Sequence, residues 1–203
     1  MSLPLYHADD GLPRCGWCSS TADFLPYHDN EWGYPVADDQ RLFEKLCLEG
    51  FQAGLSWRTI LAKRDNLRAA FADFDYQRVA SFTPADVERL LQDAGIIRHR
   101  GKIEAVINNA QRMPELLVEA GSLAAFVWSF EPDPQGLPAP QSQTTSAESI
   151  ALSKALKKRG WAFVGPTTMY AFMQAMGLIN DHLPGCAWHD AATRARAAFQ
   201  PPR

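Results

Sequence analysis

The chain has 203 residues, 46% hydrophobic and 21% charged, a balance that excludes a disordered or fibrous protein and fits one compact domain or two small lobes sharing a core. A net charge of −3 argues against a protein that simply coats nucleic acid, while leaving room for a local patch that grips a few phosphates. Charges interrupt every candidate membrane span, and MSLPLYHADDG at the N-terminus lacks the basic and apolar regions of a secretory signal, so a cytoplasmic location is expected.

Alanine plus leucine number 49 and valine plus isoleucine only 14, which favours helices over strands. Residues 1 to 12 read as a loose, flexible extension. From Asp38 the pattern turns helical: Asp38 or Asp39 can cap, Leu42, Phe43, Leu46 and Cys47 form the stripe, and Glu49-Gly50 falls near its end. A second helical stretch covers roughly residues 56 to 71, with Trp57, Ile60, Leu61 and Leu67 on its apolar side. Thr83 is a natural N-cap, Pro84 suits the first helical position, and Asp86 complements the helix start. Val87, Leu90 and Leu91 follow, and Gly95 suits a left-handed stop. Ile103, Val106, Ile107 and Ala110 then begin another helix, so the unit is helix, tight turn, helix. Residues 131 to 144 form a Pro- and Gly-rich loop. Thr145 with Glu148 suggests a capping box for a helix carrying Ile150, Leu152 and Leu156, and a last apolar helix runs near residues 167 to 176. The fold class expected is all-α.

Three constellations could carry chemistry. Cys15 and His28 lie near the start, and His182 and Cys186 near the end; cysteine plus imidazole suits tetrahedral zinc. Such a site would tie the two ends together, but Cys15-x2-Cys18 is an alternative pairing that spacing leaves open, as are unrelated surface and core residues. The segment Asp93 to Lys102 sets Arg98, Arg100 and Lys102 beside a glycine turn. It reads either as a backbone grip on phosphates or as the solvated basic edge of a helical hairpin. Trp17, Phe24, Tyr27, Trp32 and Trp57 accompany Glu49; aromatic faces stack on nucleobases and a carboxylate accepts from an exocyclic amine. Against that, a glutamate at a helix end is usually solvated. There is no Walker loop, G-x-S-x-G elbow, H-E-x-x-H or G-x-G-x-x-G. Cys15-Gly16-Trp17-Cys18 has redox spacing without the βαβ context a thioredoxin-like protein needs.

Taken together, RCGWC, YHDNEWGYP, LCLEGFQAGLSW, LLQDAGIIRHRGKI, ALKKRGWAFVGPTTMYAFMQAMGLINDH and HLPGC, in this order, resemble the bacterial 3-methyladenine DNA glycosylase I family over roughly residues 14 to 186. The resemblance implies a helix-hairpin-helix glycosylase fold and one helical domain over residues 13 to 190, followed by a tail over 191 to 203. It also implies a structural zinc on Cys15, His28, His182 and Cys186, leaving Cys18 out. The base pocket would fall on Glu49, Tyr27 and Trp57, with Trp17, Phe24 and Trp32 around them. DNA contacts would come from Gly54 and Leu55 at the gap left by the extruded nucleotide, and from Gly95, Arg98, Arg100 and Lys102 at the backbone. Phe24 stands where relatives can have tyrosine.

The expected partner is alkylated double-stranded DNA, the product free 3-methyladenine, and the protein a monomer away from membranes. Simple hydrolysis without strand cleavage is expected, because no lysine suits a Schiff-base role after the hairpin. The rivals are a DNA-binding module that has lost activity and a thiol redox protein using Cys15 and Cys18.

Overall fold

The computed structural model describes residues 4 to 203. It is mostly helical, and the strands among the described residues are β1 (Tyr6–His7) and β2 (Pro13–Arg14), an antiparallel two-residue pair. The extension read as loose therefore contributes a strand from its described part, while residues 1 to 3 lie outside the described residues. Arg14 anchors this ribbon by pairing with Asp10 and Asp29, both at 2.7 Å.

The helices in chain order are α1 (Phe24–Asn30), α2 (Asp39–Gln52), α3 (Trp57–Leu61), α4 (Arg64–Ala70), α5 (Tyr76–Ala80) and α6 (Pro84–Gln92). They continue with α7 (Arg100–Ala120), α8 (Leu123–Trp128), α9 (Ala147–Lys158), α10 (Pro166–Ala175) and α11 (His189–Ala198). Asp38 caps α2, its side chain accepting from Arg41 N. Thr83 stands at the N-cap of α6 with Pro84 and Asp86 in its first turn, as the sequence predicts, and Asp86 Oδ2 also accepts from Thr83 N to make a capping box.

Other boundaries move. The stretch from 56 to 71 breaks into α3 and α4 at Lys63, whose ammonium instead donates to the carbonyls of Ala94 and Gly95. The box opening α9 lies one residue later than Thr145–Glu148, on Ser146 and Ser149, whose hydroxyls reciprocate with each other's backbone N–H. Gly95 is not left-handed; it is required by close approach, since a Cβ there would meet Asp93 Oδ1 at 2.9 Å and Asn66 Nδ2 at 3.1 Å. The C-terminal tail holds most of α11, clamped where Arg196 pairs with Glu131 and Phe199 meets the Trp128 ring.

α2 is the central helix. It packs against α3, α7, α8 and α10, and every residue from Leu42 to Phe51 is buried. A helix enclosed on all sides has no solvent face on which to place its polar residues. Glu44, Lys45 and Glu49 are therefore carried inside, where each needs a partner. That requirement builds the site.

Candidate active site

Glu49, in the last turn of α2, is 4% exposed, so the expectation of a solvated helix-end carboxylate does not hold. It lines a cavity of about 480 Å³ with Trp17, Phe24, Tyr27, Trp32 and Trp57. All six residues assigned to the base pocket thus converge. α1 supplies Phe24 and Tyr27, the 3-10 turn Gly16–Ser20 supplies Trp17, and α3 supplies Trp57. Ser56 caps α3 by accepting from Thr59 N, which sets Trp57 at the first helical position. Trp17 packs edge-on against Phe24, Tyr27 and Trp32, and the Tyr27 and Trp57 ring centroids are 5.1 Å apart. Phe24 brings no hydroxyl, so the polar lining falls to Glu49, Tyr27, Ser20, Gln52, Ser56, Arg58, Gln141 and Gln174.

Sequence reasoning missed Lys45. It is 0% exposed, one turn before Glu49 on the same helix, and its ammonium lies 2.7 Å from Glu49 Oε1. It donates to Tyr27 Oη at 2.9 Å and sits 3.5 Å from the Trp57 ring centroid. Burial holds the Lys45 ammonium down, to about 8, against the opposing pull of Glu49. Burial, reinforced by the Glu49 charge, pushes the Tyr27 phenol well above its ordinary value, so it stays protonated. The one available signal was the i,i+4 spacing of Lys45 and Glu49 in a segment with no polar face.

Gly54 and Leu55 follow α2 directly. Gly54 takes φ +77 with open space around it, and Leu55 is 42% exposed beside a smaller cavity of about 210 Å³ that also touches Glu49. Lys102 does not face solvent as a DNA contact would. It is buried, and its ammonium donates to the carbonyls of Phe51 and Ala53, bracing the end of α2 and the start of the Gly54 turn. The sequence signal misled because a lysine next to two arginines reads as a patch.

Arg100 is exposed but paired with Glu88 at 2.7 Å and approached by Glu104. Arg98 is exposed and has no ion pair among the described residues. His99 caps α7, Nδ1 accepting from Lys102 N, and the N–H of Gly95 is taken by Asp93 Oδ1. The N–H groups of Ile97, Arg98, Arg100 and Gly101 have no backbone partner among the described residues.

Where the chain ends meet, Cys15, His28 and Cys186 bring their ligand atoms within 4.8 Å of one another, all buried, a cluster that could bind a metal ion. Ala187 N donates to Pro13 O across the same junction. His182 lies beside the cluster rather than in it, its ring centroid 4.9 Å from that of His28. His182 Nδ1 donates to Asn180 Oδ1, while Nε2 is buried with no partner. His28 Nδ1 likewise faces Asp29 Oδ1, leaving Nε2 toward Cys186 Sγ at 3.6 Å. Each ring is held so that Nε2 offers a lone pair, the arrangement metal-ligating histidines use. The hydrogen bond between Cys15 and Cys186 lowers the Cys186 thiol and raises that of Cys15. Burial holds His182 neutral, down to about 4. Cys18 is buried outside the cluster, pushed up to about 12 by burial, and the four cysteines form no disulfide.

A helical protein with an aromatic cavity around a buried carboxylate has the makings of a base-binding enzyme. Residues 17–189 match the methyladenine glycosylase family model. DNA-3-methyladenine glycosylase 1 of Escherichia coli is 53% identical over 179 residues, covering 86% of this chain and 96% of that protein. A crystal structure of 3-methyladenine DNA glycosylase I superposes with a TM-score of 0.79 at 52% identity, covering 86% of this chain and 98% of the other. A second, a tyrosine-to-phenylalanine variant of such an enzyme in complex with 3-methyladenine, also gives 0.79, at 36% identity, covering 86% of this chain and 96% of its own. The chain belongs to the methyladenine glycosylase family and is an enzyme of that class.

Proposed function

We propose that this chain removes N3-methyladenine from alkylated double-stranded DNA by hydrolysing its N-glycosidic bond, and that it stops there without cleaving the strand. The observation that carries this is the convergence of Glu49, Tyr27 and Trp57 on one cavity. N3-methylation makes the base a cation that departs neutral, so its glycosidic bond is weak before any enzyme acts. The protein therefore need not protonate a leaving group; it extrudes the nucleotide and recognises it. Trp57 stacks the lesion, Glu49 accepts from its N6 amine, and Trp17, Phe24 and Trp32 keep water away from the rest. Leu55, exposed on the Gly54 turn, fills the gap left in the duplex.

A monofunctional reaction fits the lysines as well. Lys45 approaches the site, but it is buried behind Tyr27 and Trp57 and does not line the cavity, so it does not reach a sugar carbon. Backbone grip would come from a helix-hairpin-helix unit made by α6, the turn and α7. The N–H groups of Ile97, Arg98, Arg100 and Gly101, without backbone partners among the described residues, suit phosphate oxygens there, and the Arg98 guanidinium adds its charge. The catalytic unit spans residues 13 to 190 and acts as a monomer.

Zinc fits the end-to-end cluster, on Cys15, His28, Cys186 and the lone pair of His182 that has no other partner. When bound there it would cross-link the chain ends, four protein ligands leaving no position for a reactive water.

The test is release of 3-methyladenine from methylated duplex DNA. Wild-type protein should release the base and leave the strand whole, and Glu49→Gln should lose at least about a hundredfold in kcat/KM, because a buried amide cannot replace a charged acceptor. Wild-type protein that releases no methylated base would overturn the reading.

A further inference from the structure

We propose that Lys45 is a positioning residue for base recognition: its one ammonium fixes the Glu49 carboxylate as an acceptor and the Tyr27 hydroxyl as a donor, so that the cavity presents the two side by side. This rests on the glycosylase reading above.

An ammonium has three hydrogens to give and accepts nothing. Lys45 directs one at Glu49 Oε1, at 2.7 Å, and one at Tyr27 Oη, at 2.9 Å, while the charge rests on the Trp57 ring. A hydroxyl that accepts from an ammonium keeps its own hydrogen for another acceptor, and Tyr27 Oη has no other protein partner among the described residues. Tyr27 and Glu49 line the cavity, and Lys45 does not. The ammonium therefore acts on a bound base only through its two neighbours and the ring it covers. Stability does not account for it, since replacing a buried ion pair with well-packed apolar groups is often neutral or favourable. The pattern left open toward the cavity, acceptor beside donor, complements an amine hydrogen beside a ring nitrogen. It clashes with the two adjacent acceptors, N7 and O6, of a guanine.

The groups that bias Lys45 are Glu49 and Tyr27 directly, Arg41 on its own helix, and Glu31 from the connection between α1 and α2; Arg64 of α4 acts on Tyr27. The ammonium is held near 8 by burial, so it is lost as pH rises through that region, and base binding falls with it. Without Lys45, Glu49 is buried with no counter-charge and the alkaline fall has no group to drive it.

The experiment titrates wild type, Lys45→Met, Tyr27→Phe and the double variant with free 3-methyladenine, read by tryptophan fluorescence from about pH 6 to about pH 9.5, a window set to bracket the lysine's titration. Single-turnover release from methylated DNA is measured alongside. Lys45→Met should weaken binding about 10- to 100-fold at neutral pH, the worth of a charged hydrogen bond. It should also lose the alkaline fall and narrow the preference over 3-methylguanine. Tyr27→Phe should cost less in the Lys45→Met background than in wild type.

A Lys45→Met protein with unchanged affinity and pH profile, shifted only in melting temperature, overturns the proposal. If that variant does not fold, the wild-type profile decides, because base binding that stays constant across the alkaline half of the titration overturns it equally. Wild type that binds the free base with the expected profile but releases none from DNA sinks the glycosylase reading and leaves this role standing. Normal release with an indifferent Lys45→Met does the reverse.

Discussion

The cavity and the junction of the chain ends are neighbours that share a wall: Trp17 and Trp32 line the first, and the same two rings pack on His28 of the second. Both bury polar side chains among aromatics, yet they satisfy them differently. In the cavity each buried charge meets its opposite within the protein, Lys45 against Glu49. At the junction two sulfurs crowd together and His182 Nε2 faces nothing. The first region is electrostatically complete as folded and receptive only at its open side. The second leaves donors that could hold an ion.

The largest effect that could break this contrast is removal of a donor from the junction. Cys186→Ser should cost about 4 kcal/mol or more, roughly 10 °C in melting temperature for a chain of this size. The folded fraction should still bind 3-methyladenine normally, because nothing in the cavity changes. Calorimetry with and without a strong chelator, beside metal analysis of the purified protein, checks it. Metal-free protein with a melting point indifferent to chelator would show the junction to be self-sufficient after all.

His182→Ala should act in the same direction but less, by about 2 kcal/mol, since three ligand groups remain. Part of the loss is packing. Gly33, at φ +85, is pressed so close to this imidazole that a Cβ there would meet His182 Cε1 at 2.7 Å, and the Trp32 ring lies against it too. The melting temperature of the metal-loaded variant measures the sum, and its metal stoichiometry isolates the ligand's share. Full occupancy with unchanged stability would remove His182 from the site.

How much of each region was legible in the sequence follows from the same contrast. Stripes such as Leu42, Leu46 and the Thr83–Pro84–Asp86 start are local patterns, and the helices they announce are present. The aromatic and cysteine–histidine sets were readable as residue types, and the family motifs said which belonged together. What local pattern could not show was that α2 is enclosed on all sides, which turns Glu49 from a surface carboxylate into a cavity group and forces Lys45 inward. The same blindness assigned Lys102 to DNA, when its ammonium caps carbonyls at the end of α2. Long side chains declare their charge in a sequence but not their direction. Gly95 carries the parallel lesson for backbone: its need is for space beside Asn66, a residue 29 positions away, not for a left-handed turn.

The smallest expected effect concerns the hairpin, which belongs to neither region and separates nominal from available charge. Arg98→Ala should weaken binding to undamaged duplex about three- to fivefold at low salt and lower the salt slope by about one, the signature of one lost phosphate contact. Arg100→Ala should do less, because Glu88 and Glu104 already neutralise that guanidinium. Lys102→Met should leave the salt slope alone and instead reduce excision, by loosening the carbonyls that lead into the Gly54–Leu55 turn. Fluorescence anisotropy across a salt series distinguishes the three. Equal slopes for all would mean that the hairpin does not touch the backbone through Arg98, and that its grip comes from N–H groups alone.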